Sequence, residues 1–191
     1  MSKPKLQVII ASTRPGRVGP TVADWFVRLA EQHGGFDVGV TDLAELALPL
    51  LDEPHHPSLR QYQHQHTKDW SAIVDAADAF VFVTPEYNYT FTAPLKNAID
   101  YLHSEWNYKP VGFVSYGGIS GGLRAVQSLK PVVTTLKMFP LPASVTLPFV
   151  ANSIVDGVLE PSELAVGTAK SMLDELVRVA GALKPLRETA A

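Results

Sequence analysis

The 191-residue sequence contains no cysteine. This absence excludes a disulfide framework, a thiolate nucleophile and a metal held by thiolates. The sequence also has no apolar run close to the ~18 residues that a membrane-spanning helix requires. Its amino terminus has neither the long apolar core nor the small-residue cleavage site of a signal peptide. We therefore expect a cytoplasmic protein with no membrane partner.

The chain carries little net charge. Sixteen Lys and Arg residues against 19 Asp and Glu residues give a formal charge of −3, which offers no broad attraction for nucleic acid or acidic lipid. With 46% hydrophobic and 18% charged residues, the composition is that of a folded protein. The length fits one domain, and we see no internal repeat or linker. We therefore expect a single domain over residues 1–191.

Short apolar runs alternate with helical patterns along the chain. The runs that predict strands lie at residues 6–11, 36–40, 79–83, 111–115 and 143–147. Between them apolar residues recur at helical spacing; Pro20 opens the first helix, Gly34 ends it, and Pro131 is expected to bend or interrupt a later one. Such alternation predicts a parallel sheet with helices on both faces. Five strands predict a flavodoxin-like, doubly wound α/β fold with sheet order 2-1-3-4-5.

Residues 49–66 form a long excursion rich in Pro, His and Gln. Excursions of this kind in compact domains often border an active site. The four histidines in the excursion, His55, His56, His64 and His66, have no carboxylate cluster with recognisable ligand spacing beside them. We also expect His64 and His66 to point apart on a helix. The sequence therefore predicts a solvated loop and no metal site.

The loop after the first predicted strand, residues 12–19, has the composition of a phosphate site. Ser12 and Thr13 supply hydroxyls, Arg14 and Arg17 supply guanidiniums, and a helix N-terminus with free N–H groups follows. In open α/β sheets, ligands bind at this end of the strands. The loop lacks the Lys-Ser/Thr ending of a triphosphate loop and the dinucleotide glycine spacing, which favours a single phosphate. An ordinary turn with solvated arginines is the alternative.

Two further loops follow the third and fourth predicted strands. The first contains Thr-Pro-Glu-Tyr-Asn-Tyr-Thr at residues 84–90 and leads into Leu-Lys-Asn-Ala-Ile-Asp-Tyr at 95–101. The second is the glycine-rich stretch at residues 115–124. In the predicted topology both loops stand beside the phosphate loop. Their aromatic side chains and flexible backbone could enclose a flat heterocycle.

Together these segments resemble the NADPH-dependent FMN reductase family, which includes quinone, azo-dye and chromate reductases. Ser-Thr-Arg at 12–14, Pro-Glu-Tyr-Asn at 85–88 with Leu-Lys-Asn-Ala-Ile-Asp at 95–100, and Gly-Gly-x-Arg-Ala at 121–125 occur in the family's order. The chain departs from the family at Ala11, where Gly is usual. It departs again at residues 92–94, beside the expected ring, which bears on the choice of acceptor.

The resemblance implies an FMN cofactor, NADPH or NADH as co-substrate, and a small acceptor such as a quinone, a free flavin or an azo compound. It also implies a ping-pong reaction that needs no protein acid/base pair, and a homodimer or homotetramer with the flavin close to a subunit interface. The residues implied to contact the phosphate are Ser12, Arg14, Val18 and Gly19. Those implied to contact the ring are Pro85, Glu86, Tyr87, Asn88, Ser115, Tyr116 and Gly117.

Other interpretations compete with this one. Residues 118–122 match the nucleophile elbow of α/β-hydrolases, but that fold needs a histidine after the serine, and the last histidine, His103, precedes Ser120. A flavodoxin-type electron carrier is the main alternative, although such carriers are strongly acidic and have hydroxyl-rich phosphate loops. A family member without flavin, acting in regulation or scaffolding, is the third. Arg124 is open between a cofactor contact and a structural ion pair; Asn97 is open between helix capping and a subunit contact.

Overall fold

A computed structural model describes residues 3–188 of the chain. The strands are β1 Lys5–Ile10, β2 Asp37–Asp42, β3 Ala79–Pro85, β4 Pro110–Gly117, β5 Phe139–Pro140, β6 Val145–Pro148, β7 Ile154–Val155 and β8 Val158–Leu159. The α-helices are α1 Gly19–His33, α2 Leu43–Leu46, α3 Gln65–Asp75, α4 Ala93–Asp100, α5 Leu123–Thr135 and α6 Glu163–Glu188. Short 3₁₀ turns lie at Pro57–Leu59, Ser104–Trp106 and Val150–Ser153.

The main sheet is parallel, with the strand order β2-β1-β3-β4, and both β5 and β6 pair with β4. This arrangement confirms the predicted flavodoxin-like fold and its order. The prediction of one fifth strand was incomplete, because two short strands share that edge. Pro140 and Pro142 lack the N–H groups that a continuous ladder with β4 needs. The sheet edge is therefore paired in two places, at Val111 with Pro140 and at Val114 with Val145.

Helices cover both faces of the sheet. All seven residues of β3 are buried, as expected for a strand with helices above and below it. One apolar cluster joins the sheet to α1 and α6 through residues such as Phe26 and Leu173. The other joins it to α3, α4 and α5 through residues such as Trp70 and Ile99. These two clusters hold the carboxyl ends of the strands at a common edge.

The helix boundaries follow local sequence, with one exception. Helix α1 ends at Gly34, which has a left-handed φ of 72° and whose N–H donates to Ala30 O, as predicted. Helix α5, in contrast, continues through Pro131 without interruption. Pro131 and Gln127, whose carbonyl loses its usual N–H donor, are both exposed. Water can therefore solvate that carbonyl, which lowers the cost of keeping the proline inside the helix.

The excursion at 49–66 is fastened to α4 and not left as a free loop. The Asn97 side chain donates to Pro49 O (2.7 Å) and accepts from Leu51 N (3.0 Å), so Asn97 positions this segment. The expectation that His64 and His66 point apart was wrong. His64 precedes α3, and its ring stacks on that of His66 at a centroid distance of 5.2 Å.

Within residues 3–188, no three His, Cys, Asp or Glu side chains are grouped so that they could hold a metal ion. Over the same described range, none of the helices has the length and apolar character needed to cross a bilayer.

Candidate functional site

Four loops that are far apart in the sequence border one cavity of about 380 Å³ at the carboxyl end of the sheet. The cavity brings Arg14, Tyr87 and Gly117 together, as the sequence predicted. Its lining residues are Arg14, Val18, Pro85, Glu86, Tyr87, Tyr116, Gly117, Gly118, Phe149, Val150, Ala151 and Asn152. Ligands bind at this position in open α/β sheets, so the cavity is the candidate site.

The two arginines of the first loop have different partners. Arg17 points away from the cavity: its Nη1 donates to Ser12 O (2.7 Å) and to Asp42 Oδ1 (2.7 Å), and its Nη2 donates to Asp42 Oδ2 (2.6 Å). This bidentate pair fixes the loop to the end of β2. Arg14 lines the cavity. Arg14 is therefore the guanidinium in this loop that is placed to meet a bound anion.

The start of α1 packs tightly against two buried hydroxyls. The Ser12 and Tyr116 hydroxyls interact with each other, and among the residues that the structure describes neither has a further hydrogen-bond partner. A methyl group in place of the Gly19 hydrogen would lie 2.2 Å from Ser12 Oγ and 2.8 Å from the Tyr116 hydroxyl. Glycine is thus required at this position. Buried hydroxyls of this kind usually have a partner, and they stand beside the loop where a phosphate is expected.

The helix end itself suits an anion. Helix α1 begins at Gly19 after Val18, and its first turn carries no acidic side chain. The first N–H groups of a helix have no intrahelical acceptor and lie at the positive end of its dipole. With Arg14 at the same loop and hydroxyls beneath it, this end of the site fits one phosphate group.

A tight turn after β3 shapes another part of the cavity wall. Tyr87 and Thr90 exchange two backbone hydrogen bonds (2.9 and 3.1 Å), and the turn between them places Asn88 and Tyr89 at positive φ angles of 48° and 77°. The turn directs Pro85, Glu86 and Tyr87 toward the cavity. Asn88 is exposed at the tip and does not line the cavity.

The fourth strand is longer than the predicted run of residues 111–115, so Tyr116, which was expected in the loop, lies in the strand itself. Tyr116 is buried at the end of β4, and burial raises the pKa of its hydroxyl to about 12. Tyr116 therefore keeps its proton at neutral pH and can donate a hydrogen bond. The Ser115 hydroxyl turns away from the cavity and donates to Gly121 O (2.9 Å). Its contribution is to hold the glycine-rich loop against β4.

The glycine-rich loop is structural and does not form a hydrolase elbow. Ser120 Oγ donates to Glu86 Oε2 (2.8 Å), which joins this loop to the one after β3. Gly121 and Gly122 have positive φ angles of 59° and 84°. A Cβ atom at Gly122 would lie 2.7 Å from Tyr116 N. The glycines are needed because the loop folds back closely on β4.

The sequence analysis missed the fourth side of the cavity, residues 149–152. Phe149 follows β6 and has a left-handed φ of 48°. Its N–H donates to Gly118 O (3.1 Å), and its carbonyl accepts from Asn152 N (2.9 Å). The sheet topology could have indicated this loop. It follows β6, which is parallel to β4, so it must lie at the same sheet edge as the loops after β1, β3 and β4.

Several known proteins are similar to this chain in sequence. The sequence profile of the NADPH-dependent FMN reductase family matches residues 4–152. An NAD(P)H-dependent FMN reductase of Schizosaccharomyces pombe is 43% identical over 161 residues, which cover 83% of this chain and 80% of the relative. An FMN-dependent NADPH-azoreductase of Staphylococcus haemolyticus is 31% identical over 143 residues, 72% of this chain and 73% of the relative.

Solved structures share the fold. The flavoenzyme NAD(P)H:(acceptor) oxidoreductase of Paracoccus denitrificans superposes with a TM-score of 0.71 at 19% identity. The superposition covers 94% of this chain and 98% of that one.

Proposed function

Since the chain belongs to the NADPH-dependent FMN reductase family, we propose that it uses bound FMN to pass hydride from NADPH or NADH to a small acceptor. Quinones, free flavins and azo compounds are the acceptor classes that we expect. The observation that carries the proposal is the convergence of Arg14, Tyr87 and Gly117 on one cavity. That cavity adjoins a helix end that suits an anion and two buried hydroxyls with no further partner among the described residues.

The residues of the site divide into a phosphate end and a ring end. We assign the phosphate to Arg14, Val18 and Gly19, because the guanidinium and the first N–H groups of α1 supply charge-assisted donors there. Ser12 lies beneath them as a buried hydroxyl. The ring is assigned to the surfaces of the loops after β3, β4 and β6. Their contacting residues are Pro85, Glu86, Tyr87, Tyr116, Gly117 and Phe149.

When bound, FMN supplies the hydride chemistry, so the protein has to bind and orient the reactants. Tyr87 and Phe149 are exposed aromatic side chains that line the cavity. They offer flat apolar surface to a nicotinamide or to an acceptor that enters from solvent. We propose the ping-pong order, in which the oxidised nicotinamide leaves before the acceptor binds at the same surface. The protonated Tyr116 hydroxyl can donate a hydrogen bond within the site.

Steady-state oxidation of NADPH and NADH by the purified protein, with a quinone as acceptor, tests this function. Turnover without any added partner protein supports the reductase. A yellow protein that binds FMN but does not turn over either nicotinamide would instead be a carrier, which the family relationship does not favour. A colourless protein that takes up no added FMN would point to the regulatory alternative and contradict the proposal.

We also propose that the protein is a homodimer or homotetramer. Large apolar side chains are exposed next to α4, including Leu50 at 84% exposure and Leu51. The excursion that carries them is fixed to α4 by Asn97, so they form an ordered surface and not a loose loop. Ordered exposed apolar surface is typical of subunit contacts. Light scattering of the wild type and of Leu50→Glu tests the proposal, which predicts a smaller assembly for the variant.

A further inference from the structure

Glu86 is a nearly buried carboxylate at the candidate cofactor cavity. It lines the cavity with Gly117, and its side chain is only 9% exposed. Its Oε2 accepts hydrogen bonds from Ser120 Oγ (2.8 Å) and from the Arg124 backbone N–H (3.1 Å). Its Oε1 accepts from Arg124 Nη1 (3.0 Å). Glu86 therefore carries a charge whose position is fixed by three donors.

Arg124 balances that charge from the solvent side. Its side chain is 41% exposed, and its guanidinium carbon lies 4.5 Å from the centroid of the Tyr89 ring. Tyr89 belongs to the turn after β3, whereas Arg124 is the second residue of α5. The guanidinium is thus held between the ring and the carboxylate, where both a cation–π contact and an ion pair stabilise it.

Glu86 stays ionised in this environment. Burial alone would raise the pKa of Glu86, but the hydrogen bonds from Ser120 and Arg124, with the positive charge of Arg124, lower it below its ordinary value. The cavity therefore has a negative group on its inner wall and a positive group farther out. Glu86 and Arg124 together carry no net charge.

We propose that the balance between the charges of Glu86 and Arg124 sets the reduction potential of FMN in this cavity. The inference rests on the proposed function. Uptake of hydride adds two electrons and one proton to the cofactor, hence one negative charge. A nearby unbalanced carboxylate disfavours that added charge, and an unbalanced guanidinium favours it, because charges interact more strongly beside the protein than in bulk water. With both groups present the two effects offset each other.

Two single variants that remove charges of opposite sign test the proposal. The quantity measured is the midpoint potential of the FMN-loaded protein, by equilibration with a reference dye. Glu86→Gln leaves Arg124 unbalanced and should raise the potential. Arg124→Gln leaves Glu86 unbalanced and should lower it. We expect each to change the ratio of the dissociation constants for reduced and oxidised FMN at least tenfold, which corresponds to about 30 mV for two electrons. The double variant should return toward the wild-type potential.

Two controls separate charge from structure. Arg124→Lys keeps the charge but loses the stacked, planar guanidinium, so it should stay closer to the wild type than Arg124→Gln does. Arg178→Gln removes an exposed arginine that also pairs with a glutamate, Glu175 (3.2 Å), on helix α6. It should leave the potential unchanged.

Shifts of both single variants in the same direction, or potentials equal to that of the wild type, would overturn the proposal. If the Glu86→Gln protein cannot bind FMN, the Arg124→Gln protein tests the proposal alone. A midpoint potential of Arg124→Gln that is equal to or higher than that of the wild type would then overturn the proposal. If the wild type itself binds no FMN, the proposed function fails instead, so the two failures are distinguishable.

Discussion

Arg17 and Asp42 form a bidentate ion pair, with N–O distances of 2.7 and 2.6 Å, across the carboxyl ends of β1 and β2. Arg17 also donates to Ser12 O, and Asp42 also accepts from Ala44 N at the start of α2. One pair of side chains thus fixes the phosphate loop, the neighbouring strand and a short helix. Arg17, which the sequence offers as a phosphate ligand, instead holds the loop in the shape that presents Arg14.

Breaking this pair should weaken both the fold and the cofactor site. Arg17→Gln and Asp42→Asn should each lower the free energy of unfolding by roughly 2 kcal/mol, because the remaining partly buried charge loses its partner. Urea unfolding of the FMN-free protein measures this loss. Lys96→Gln, in the exposed pair of Lys96 and Asp100, is the control and should cost less than about 0.5 kcal/mol. Equal losses of unfolding free energy at the Arg17–Asp42 pair and at the Lys96–Asp100 pair would contradict a stabilising role for the first pair.

Arg14→Ala should reduce FMN binding sharply. Loss of one charge-assisted hydrogen bond costs about 1.5–3 kcal/mol, or about 10- to 100-fold in the dissociation constant. Quenching of FMN fluorescence on titration with the FMN-free protein measures the change. Arg28→Ala is the matched control, since Arg28 is an exposed arginine on α1. A variant at Arg14 that is as yellow after purification as the wild type would show that the phosphate is assigned to the wrong place.

Gly19→Ala should abolish FMN binding and destabilise the protein. The added methyl group would lie 2.2 Å from Ser12 Oγ, and an overpacked site of this kind costs about 1–3 kcal/mol. Thermal unfolding and FMN titration both report the effect. Gly167→Ala is the control on α6, where no heavy atom of the described residues lies within 4 Å of the new Cβ; it should stabilise by about 0.5–1 kcal/mol. The tight fit at Gly19 is refuted if both variants behave alike.

Lys109 should make stability depend on pH in the alkaline range. It is buried, its Nζ donates to Val74 O (2.8 Å) and Asp75 O (3.0 Å), and burial lowers its pKa to about 8. Between about pH 8 and pH 10 the unfolded chain binds a proton that the native protein lacks, so the free energy of unfolding rises with pH, by up to about 3 kcal/mol. Below about pH 8 both states are protonated and this contribution is constant.

Urea unfolding at several pH values tests the Lys109 prediction. Lys109→Met should lose the rise, whereas Lys170→Met, at an exposed lysine on α6, should keep it. The rise ends above about pH 10, because the lysine of the unfolded chain then loses its own proton and unfolded tyrosines also begin to ionise. A slope that is the same in the wild type and in Lys109→Met would contradict the prediction.

Sequence alone predicted the first four strands, the sheet order and three sides of the cavity, because apolar runs, Gly34 and the loop compositions are local signals. It could not predict the partner of Arg17, since the Arg17–Asp42 pair depends on two strands meeting. The sequence analysis placed Tyr116 in a loop, because a tyrosine next to glycines is typical of a turn. In the structure, β4 extends to Gly117 and includes Tyr116. Phe149 was missed although the strand before it was predicted at 143–147, because residues 148–152 contain neither a glycine nor a charged side chain that would mark a binding loop.

The central claim is that the cavity holds FMN where a nicotinamide and then an acceptor can reach it. The most direct measurement is the flavin absorbance of the FMN-loaded protein under anaerobic conditions, first with NADPH or NADH and then with a quinone. We predict that the flavin band bleaches with at least one nicotinamide and returns when the quinone is added. A bound flavin that keeps its colour with both nicotinamides would contradict the account.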